Sequence, residues 1–183
     1  MSWFKKHKIL TVILVLVILG GIGAAAGGGS NKNSNTQAST KSTGTSGGQT
    51  LAKIGQSAND GKFQFTVSSI KCGEASVSQD QYLSKTAQGQ YCLLNVTVKN
   101  IGNQAQTFDA SNQYLYNAQN QKYSADSTAS DYANPSGSTF LNEINPGNTV
   151  TGVVAFDVPK DVTPITAELH DSAFSGGVKV NLQ

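Results

Sequence analysis

Residues 91–100 read YCLLNVTVKN, a decapeptide in which apolar and polar side chains alternate. Successive side chains of an extended chain point to opposite faces. One face here carries Cys92, Leu94, Val96 and Val98. The other face is mainly polar, so this period of two predicts a half-buried β-strand. The sequence Asn-Ile-Gly-Asn at 100–103 is typical of a turn and ends the strand.

The same period returns in residues 149–158, which read TVTGVVAFDV. The turn signal NPGN at 145–148 precedes this second strand. Pro159 follows it, and proline ends a central strand because it cannot donate a hydrogen bond to the neighbouring strand. Two turn signals therefore bracket a second half-buried strand.

A third strand is predicted from its inward-facing set, which is Phe63, Phe65 and Val67. Ile70 and Cys72 continue the apolar pattern but fall on the opposite parity. One extra residue would return both of them to the core face. We therefore predict a β-bulge near Ser68 and Ser69.

Further strands follow from shorter patterns, and about seven strands are expected in all. Residues 114–117 and 122–124 predict a hairpin, and residues 165–169 and 178–182 also alternate. No stretch after the N-terminal apolar run has a sustained helical period, so the fold class is all-β, an antiparallel sandwich or barrel. Segment 73–90 has only Tyr82 and Leu83 as large apolar residues, and a short helix or a long loop is expected there.

The N-terminal residues carry an export signal. Residues 1–8 are basic, and residues 9–26 are uncharged and apolar or small. As a helix, residues 9–26 would span roughly 27 Å, close to a hydrocarbon thickness of about 30 Å. With the lysines inside, they predict a transmembrane helix that anchors the chain in the cell membrane, single-pass, with an extracellular C-terminal domain. The alternative is a signal peptide cleaved near Ala26, which would make the protein secreted.

Composition divides the exported part in two. Residues 27–50 consist of Gly, Ser, Thr, Asn and Gln with scattered lysines, and they predict a disordered, flexible linker. Residues 51–183 have the size of one domain with its own core. Residues 27–183 together carry ten lysines against eleven acidic residues and no arginine. A nucleic-acid partner is therefore not expected.

The sequence has two cysteines, Cys72 and Cys92, and both lie in the exported domain. An even number of cysteines in an exported chain predicts a disulfide. In the chain-entropy model such a bond stabilises the fold by about 3 kcal/mol. A free catalytic thiol is the alternative, but no exported histidine lies near either cysteine in the sequence.

Tyrosines suggest a partner-binding patch. Its candidate members are Tyr114, Tyr116, Tyr123 and Tyr132. Tyrosine offers a flat apolar ring and a polar tip, and such residues with nearby amides suit an envelope protein or a glycan. The alternative is that at least half of these rings cover the sandwich core.

An enzymatic interpretation depends on His170, the one histidine of the exported part. It is expected to be exposed at a strand end, and neighbouring Asp171 would face the opposite side. The oxygen ligands Asp126, Asp131 and Asn134 lie close in sequence, but the spacing and terminal glutamate of a calcium hand are missing. No catalytic residue, cofactor or metal site is therefore assigned.

Three stretches of the sequence resemble a known domain family. Residues 89–102, the Asn-Pro-Gly turn at 145–147 and residues 152–160 are similar to recurrent stretches of a domain family of unknown function. That family is common in anchored and lipidated surface proteins of Gram-positive bacteria. The resemblance covers residues 51–183 and implies an immunoglobulin-like β-sandwich, similar to that of a small secreted mycobacterial antigen, without implying any chemistry.

Together these observations predict an extracytoplasmic, membrane-tethered binding or cell-envelope interaction module without catalysis. Its partners would be the membrane, through the N-terminal helix, and an envelope protein or glycan of unknown identity. One alternative is a structural or immune-facing surface antigen with no specific ligand. Another is an enzyme that uses His170.

Overall fold

The computed structural model describes residues 51–134 and 139–183, which form nine strands and two short helices. The strands are β1 (Ala52–Lys53), β2 (Ser57–Asp60), β3 (Phe63–Ser78), β4 (Ser84–Asn100), β5 (Tyr114–Tyr116), β6 (Lys122–Ser124), β7 (Thr149–Val158), β8 (Thr166–Leu169) and β9 (Val178–Asn181). A 3₁₀ turn at Ala110–Asn112 precedes β5, and helix α1 (Ser127–Tyr132) follows β6.

The predicted N-terminal segments 1–8, 9–26 and 27–50 lie outside the described residues. Within the described ranges, no helix is long and apolar enough to cross a membrane.

The strands form a β-sandwich, which confirms the predicted all-β class. One sheet has the strand order β2-β3-β4-β7 and the other has the order β1-β9-β8-β5-β6. Neighbouring strands are antiparallel except for β1, which pairs in parallel with β9. The described part has nine strands rather than the predicted seven, because β1 and β2 are short, mainly polar and have no apolar period of their own.

The core lies between the two sheets and contains the apolar sets predicted from alternation. Phe65, Leu94 and Phe156 are fully buried there. Each such side chain stabilises the fold by roughly 1.5–3 kcal/mol through burial. The strands predicted at residues 91–100 and 149–158 are therefore confirmed, with their inward and outward faces as predicted.

The predicted bulge and disulfide are both present in the β3–β4 pair. Val67 pairs with Val96 and Ser69 with Asn95, so Ser68 is the extra residue. After the bulge, Cys72 lies opposite Cys92, and the two form a disulfide with a Cα–Cα distance of 3.9 Å. The bulge thus returns Ile70 and Cys72 to the core face.

Segment 73–90 is neither a helix nor a loop, so that expectation is wrong. It is the outer half of a long hairpin, the ribbon, in which Ser76 pairs with Thr86 and Val77 with Lys85. Both faces of a two-stranded ribbon are largely open to water, so its sequence needs no apolar period. Register shifts on either side of Glu74 bend the ribbon, and a 2.6 Å ion pair joins Lys85 to Asp126 before α1.

Helix α1 was missed because it has only six residues and no apolar period. Asp126 caps it by accepting a hydrogen bond from the amide of Ala129. Its role is to cover the open edge of β7: the amide of Ala155 donates to Ser130 Oγ at 2.9 Å. The side-chain amide of Asn134 bonds both the N–H and the C=O of Val153. These contacts protect an edge strand from pairing with another chain.

Candidate functional site

The structure separates the four tyrosines of the predicted patch. Tyr114 and Tyr116 lie on β5 and point away from the core, on the outer face of the five-stranded sheet. Tyr123 pairs with Leu115, so it faces the core and packs against it. Tyr132 lies on α1 and packs against a second apolar cluster, which contains Tyr91. Only Tyr114 and Tyr116 therefore form a common surface.

This surface, the tyrosine face, comprises Tyr114, Tyr116, Lys122, Glu168, His170 and Lys179. The strand register brings these residues together, because Tyr114 pairs with Glu168 on β8 and Glu168 pairs with Lys179 on β9. His170 follows β8 two residues after Glu168 and on the same side. Each member is held by a strand or a strand end, so the arrangement is preorganised.

The Glu168 carboxylate is the shared polar partner of the other side chains on the tyrosine face. Its Oε1 accepts from the Tyr116 hydroxyl at 3.2 Å and lies 3.0 Å from His170 Nε2, while Lys179 Nζ lies 3.3 Å from Oε2. Burial favours a higher pKa for this carboxyl group. The hydrogen bonds and positive charges of His170 and Lys179 outweigh burial, so the pKa of Glu168 lies below its ordinary value.

His170 is not the exposed residue that the sequence predicted. Only 11% of its side chain is exposed, because Tyr114 packs edge-on against the ring at a centroid distance of 5.5 Å. Nδ1 of His170 lies 3.2 Å from Ser175 Oγ. Asp171 does not orient the ring, as expected; its carboxylate accepts from the amide of Lys62. The residue that orients the imidazole ring is Glu168. The sequence indicates this pairing because Glu168 lies two residues before His170, and residues i and i+2 of a strand share a face.

Two lysines stand over the tyrosine rings. Lys122 Nζ lies 3.3 Å from the centroid of Tyr114, and Lys179 Nζ lies 5.2 Å from that of Tyr116. Such cation–π contacts are worth about 0.5–1 kcal/mol at exposed sites. Within the described residues Lys122 has no ion-pair partner. The face thus combines aromatic rings with a positive charge that no carboxylate neutralises.

The candidate calcium ligands do not converge. Asp126 caps α1 and binds Lys85, and the Asn134 side chain is engaged with β7. Burial raises the pKa of Asp131, which disfavours the charged form that would bind a cation. Across the part of the chain that the structure describes, no cluster of three His, Cys, Asp or Glu residues is placed to hold a metal ion.

Acid is expected to remove the stabilising contribution of Glu168. A carboxyl group whose pKa is lower in the folded than in the unfolded chain stabilises the fold above the unfolded value of 4.5. That stabilisation is lost as pH falls through the folded pKa. Wild type should therefore be more stable than Glu168→Gln at pH 7, and urea denaturation should show this difference shrinking below about pH 4.5.

Glu143→Gln, at an exposed position, is the matched control, and its difference from wild type should stay small throughout. A Glu168→Gln difference that is constant from pH 7 to pH 3 would contradict the assigned role of the carboxylate.

Comparisons with known proteins agree with this fold. A family model described as a domain of unknown function (DUF4352) matches residues 52–180. The chain is similar to MPT63, a secreted protein from Mycobacterium tuberculosis, with 18% identity and a TM-score of 0.52 over 72% of this chain and 96% of that chain. It is also similar to the yjhA protein from Bacillus subtilis, with 17% identity and a TM-score of 0.53 over 73% and 100%. No curated protein matches the chain.

Proposed function

The chain belongs to the DUF4352 family of domains of unknown function, and from that premise we propose that it is a binding module of the cell envelope. The module is non-catalytic, immunoglobulin-like and held outside the cell membrane by residues 9–26. Two packed, mainly antiparallel sheets support the immunoglobulin-like assignment. The partner is an envelope protein or glycan that docks on the tyrosine face.

The observation that carries this proposal is the pairing of Tyr114 and Tyr116 on one outer face. Two rigid rings at alternate positions of a strand bind a partner at a low cost in side-chain entropy. Lys122 and Lys179 add positive charge at the same surface. Tyrosines near such polar groups are typical of binding hot spots.

Three features of the sequence and structure support a location outside the cytoplasm. Residues 1–8 are basic and residues 9–26 are apolar or small, as in an export signal or anchor. The Cys72–Cys92 disulfide suits an oxidising compartment. Residues 27–50 would give the domain a reach of roughly 25–30 Å from the membrane.

The environment of His170 supports a binding role rather than catalysis. One ring nitrogen lies beside Glu168 and the other beside Ser175, so both are already engaged within the domain. Tyr114 packs against the imidazole ring in a T-shaped arrangement. The histidine therefore acts as a structural support for the tyrosine face.

Capture of a partner tests this function. Full-length chain immobilised in detergent should bind a component of its own envelope in a saturable manner. The double variant Tyr114→Ala/Tyr116→Ala should weaken that binding at least about tenfold, as expected for hot-spot tyrosines.

Tyr82→Ala is the matched control, because Tyr82 is 83% exposed at the tip of the ribbon, away from the tyrosine face. It should bind as wild type does. No saturable partner, or equal capture by the double variant, would refute the proposal and favour a surface antigen without a specific ligand. A cooperative urea unfolding transition would show that the double variant is folded.

A further inference from the structure

A row of residues with a lysine at each end crosses the outer face of the five-stranded sheet. Lys53 pairs with Asn181, Asn181 with Thr166, Thr166 with Tyr116, and Tyr116 with Lys122, so each strand contributes one residue. We call these five residues the basic row. It crosses the tyrosine face, with which it shares Tyr116 and Lys122.

The charges of the domain are divided unevenly between this face and the rest of the surface. Residues 51–183 carry eight lysines against eleven acidic residues. On the outer face, by contrast, the five strands carry Lys53, Lys122 and Lys179 against one carboxylate, that of Glu168. Lys179 already binds Glu168, and within the described residues neither Lys53 nor Lys122 has an ion-pair partner. The face is therefore positive on a domain that is otherwise negative, and it would attract an anionic ligand.

The two unpaired lysines are too far apart to share a small anion. Lys53 and Lys122 lie at opposite ends of the basic row, four strand spacings apart, which is about 19 Å at about 4.8 Å for each spacing. The ring of Tyr114 holds one of these charges in place, since Lys122 Nζ lies 3.3 Å from the ring centroid. An extended polymer with repeated negative charges can contact both lysines at once.

The side chains between the two lysines determine what kind of polymer fits. Asn181, Thr166 and Tyr116 provide an amide, a hydroxyl group and a flat aromatic ring. Among the described residues, no strand of this sheet places an aliphatic side chain on its outer face. The core of a protein interface is apolar, and binding in a membrane surface needs apolar side chains that enter it. An aromatic ring can instead pack against a sugar ring, while amides and hydroxyls bond the sugar hydroxyl groups.

We propose that the basic row binds an anionic polysaccharide. Carboxylate or phosphate groups of the polymer contact Lys53 and Lys122, and a sugar ring packs against Tyr116 between them. The inference rests on the proposed function, because it assigns a chemical class to the partner at the same surface: a charged glycan rather than a protein. Since both lysines are exposed, salt should weaken the binding.

Binding of soluble polygalacturonate to the full-length chain in a non-ionic detergent tests the proposal. Each sugar of this polymer carries a carboxylate, and the methyl ester of the polymer has the same backbone without the charges. Wild type should bind the acid form in a saturable manner and should not measurably bind the ester. Lys53→Gln/Lys122→Gln should lower the affinity for the acid form about fivefold for each lysine, the factor that corresponds to about 1 kcal/mol.

Lys71→Gln/Lys99→Gln is the matched control, because it removes two exposed lysines from the other sheet and changes the net charge equally. It should bind polygalacturonate as wild type does. Absence of saturable binding, equal loss of affinity in both double variants, or equal binding of the methyl ester would overturn the proposal. Tighter binding of poly-glutamate than of polygalacturonate would also overturn it, since the partner would then be an acidic polypeptide.

The capture experiment separates failure of this inference from failure of the proposed function. A saturable envelope partner that Tyr114→Ala/Tyr116→Ala loses but Lys53→Gln/Lys122→Gln retains would leave the binding module intact and overturn the anionic glycan. A glycan that both variants lose would support the inference. Absence of any saturable partner would refute the proposed function as well.

Discussion

Replacement of Asn100 by alanine is expected to lower the free energy of unfolding by about 3 kcal/mol. Asn100 ends the strand that defines the fold, and its side chain is fully buried. Nδ2 donates to the carbonyl oxygens of Gln104 and Ile144 at 2.7 Å each, and Oδ1 accepts from the amide of Gly102 at 2.8 Å. Alanine would remove all three hydrogen bonds, each worth about 1 kcal/mol. The Ile144 carbonyl would keep its second donor, the amide of Gln106, whereas the Gly102 amide and the Gln104 carbonyl would lose these contacts.

Asn95→Ala is the matched control, since Asn95 lies on the same strand but is half-buried and donates to a single side chain, Ser69. Its loss should stay below about 1 kcal/mol. Urea denaturation of both variants measures the difference. If Asn100→Ala were no less stable than Asn95→Ala, the assigned role of the buried amide would be wrong.

Much of the sandwich could be predicted from sequence because its longest strands bury one face only. The period of two in residues 91–100 and 149–158 reflects this arrangement directly. Even the bulge at Ser68 was visible, since the change of parity between Val67 and Ile70 has no other simple explanation in a strand.

The elements that sequence analysis missed are stabilised by contacts distant in sequence. The ribbon is held by Lys85 and Val77, which contact Asp126 and the cluster around Tyr91, not by a pattern of its own. Helix α1 is held by two hydrogen bonds to β7: Ser130 Oγ accepts from the amide of Ala155, and the Asn134 side chain donates to the carbonyl of Val153. Local propensity says little about such elements, because tertiary contacts decide them.

The candidate site was predicted only in part for a related reason. Alternation placed Tyr114 and Tyr116 on one face, but the pairing of Tyr123 with Leu115 depends on the hairpin register, which the sequence left open. Glu168 and Lys179 join the site through β8 and β9, which are far from β5 in sequence. No motif spacing records such a long-range arrangement.

Several residues of the family-like stretches have structural roles. A Cβ at Gly89 would lie 2.2 Å from the carbonyl oxygen of Val158, so only glycine fits there. The carboxylate of Asp157 accepts from the amides of Gln88 and Gly89. The side-chain amide of Gln90 donates to three carbonyls of the segment after β7. These residues maintain the scaffold, whereas the tyrosine face lies outside the family-like stretches.

Reduction of the Cys72–Cys92 disulfide is expected to lower the free energy of unfolding by about 3 kcal/mol. The two cysteines pair directly across β3 and β4, and Cys92 is fully buried. The reduced native state should keep nearly the same packing, because strand pairing continues on both sides. The loss therefore comes mainly from the unfolded chain, which gains freedom when the loop between the cysteines is no longer closed.

Urea denaturation with and without reductant measures this effect, and Cys72→Ala/Cys92→Ala, which should not respond to reductant, is the control. The bond lies at the last paired position before the register shift that bends the ribbon. Reduction should therefore increase amide hydrogen exchange more in residues 74–89 than in β7, since the ribbon has fewer buried contacts of its own. A stability loss below about 1 kcal/mol, or a uniform rise in exchange, would show that strand pairing alone holds the base of the ribbon.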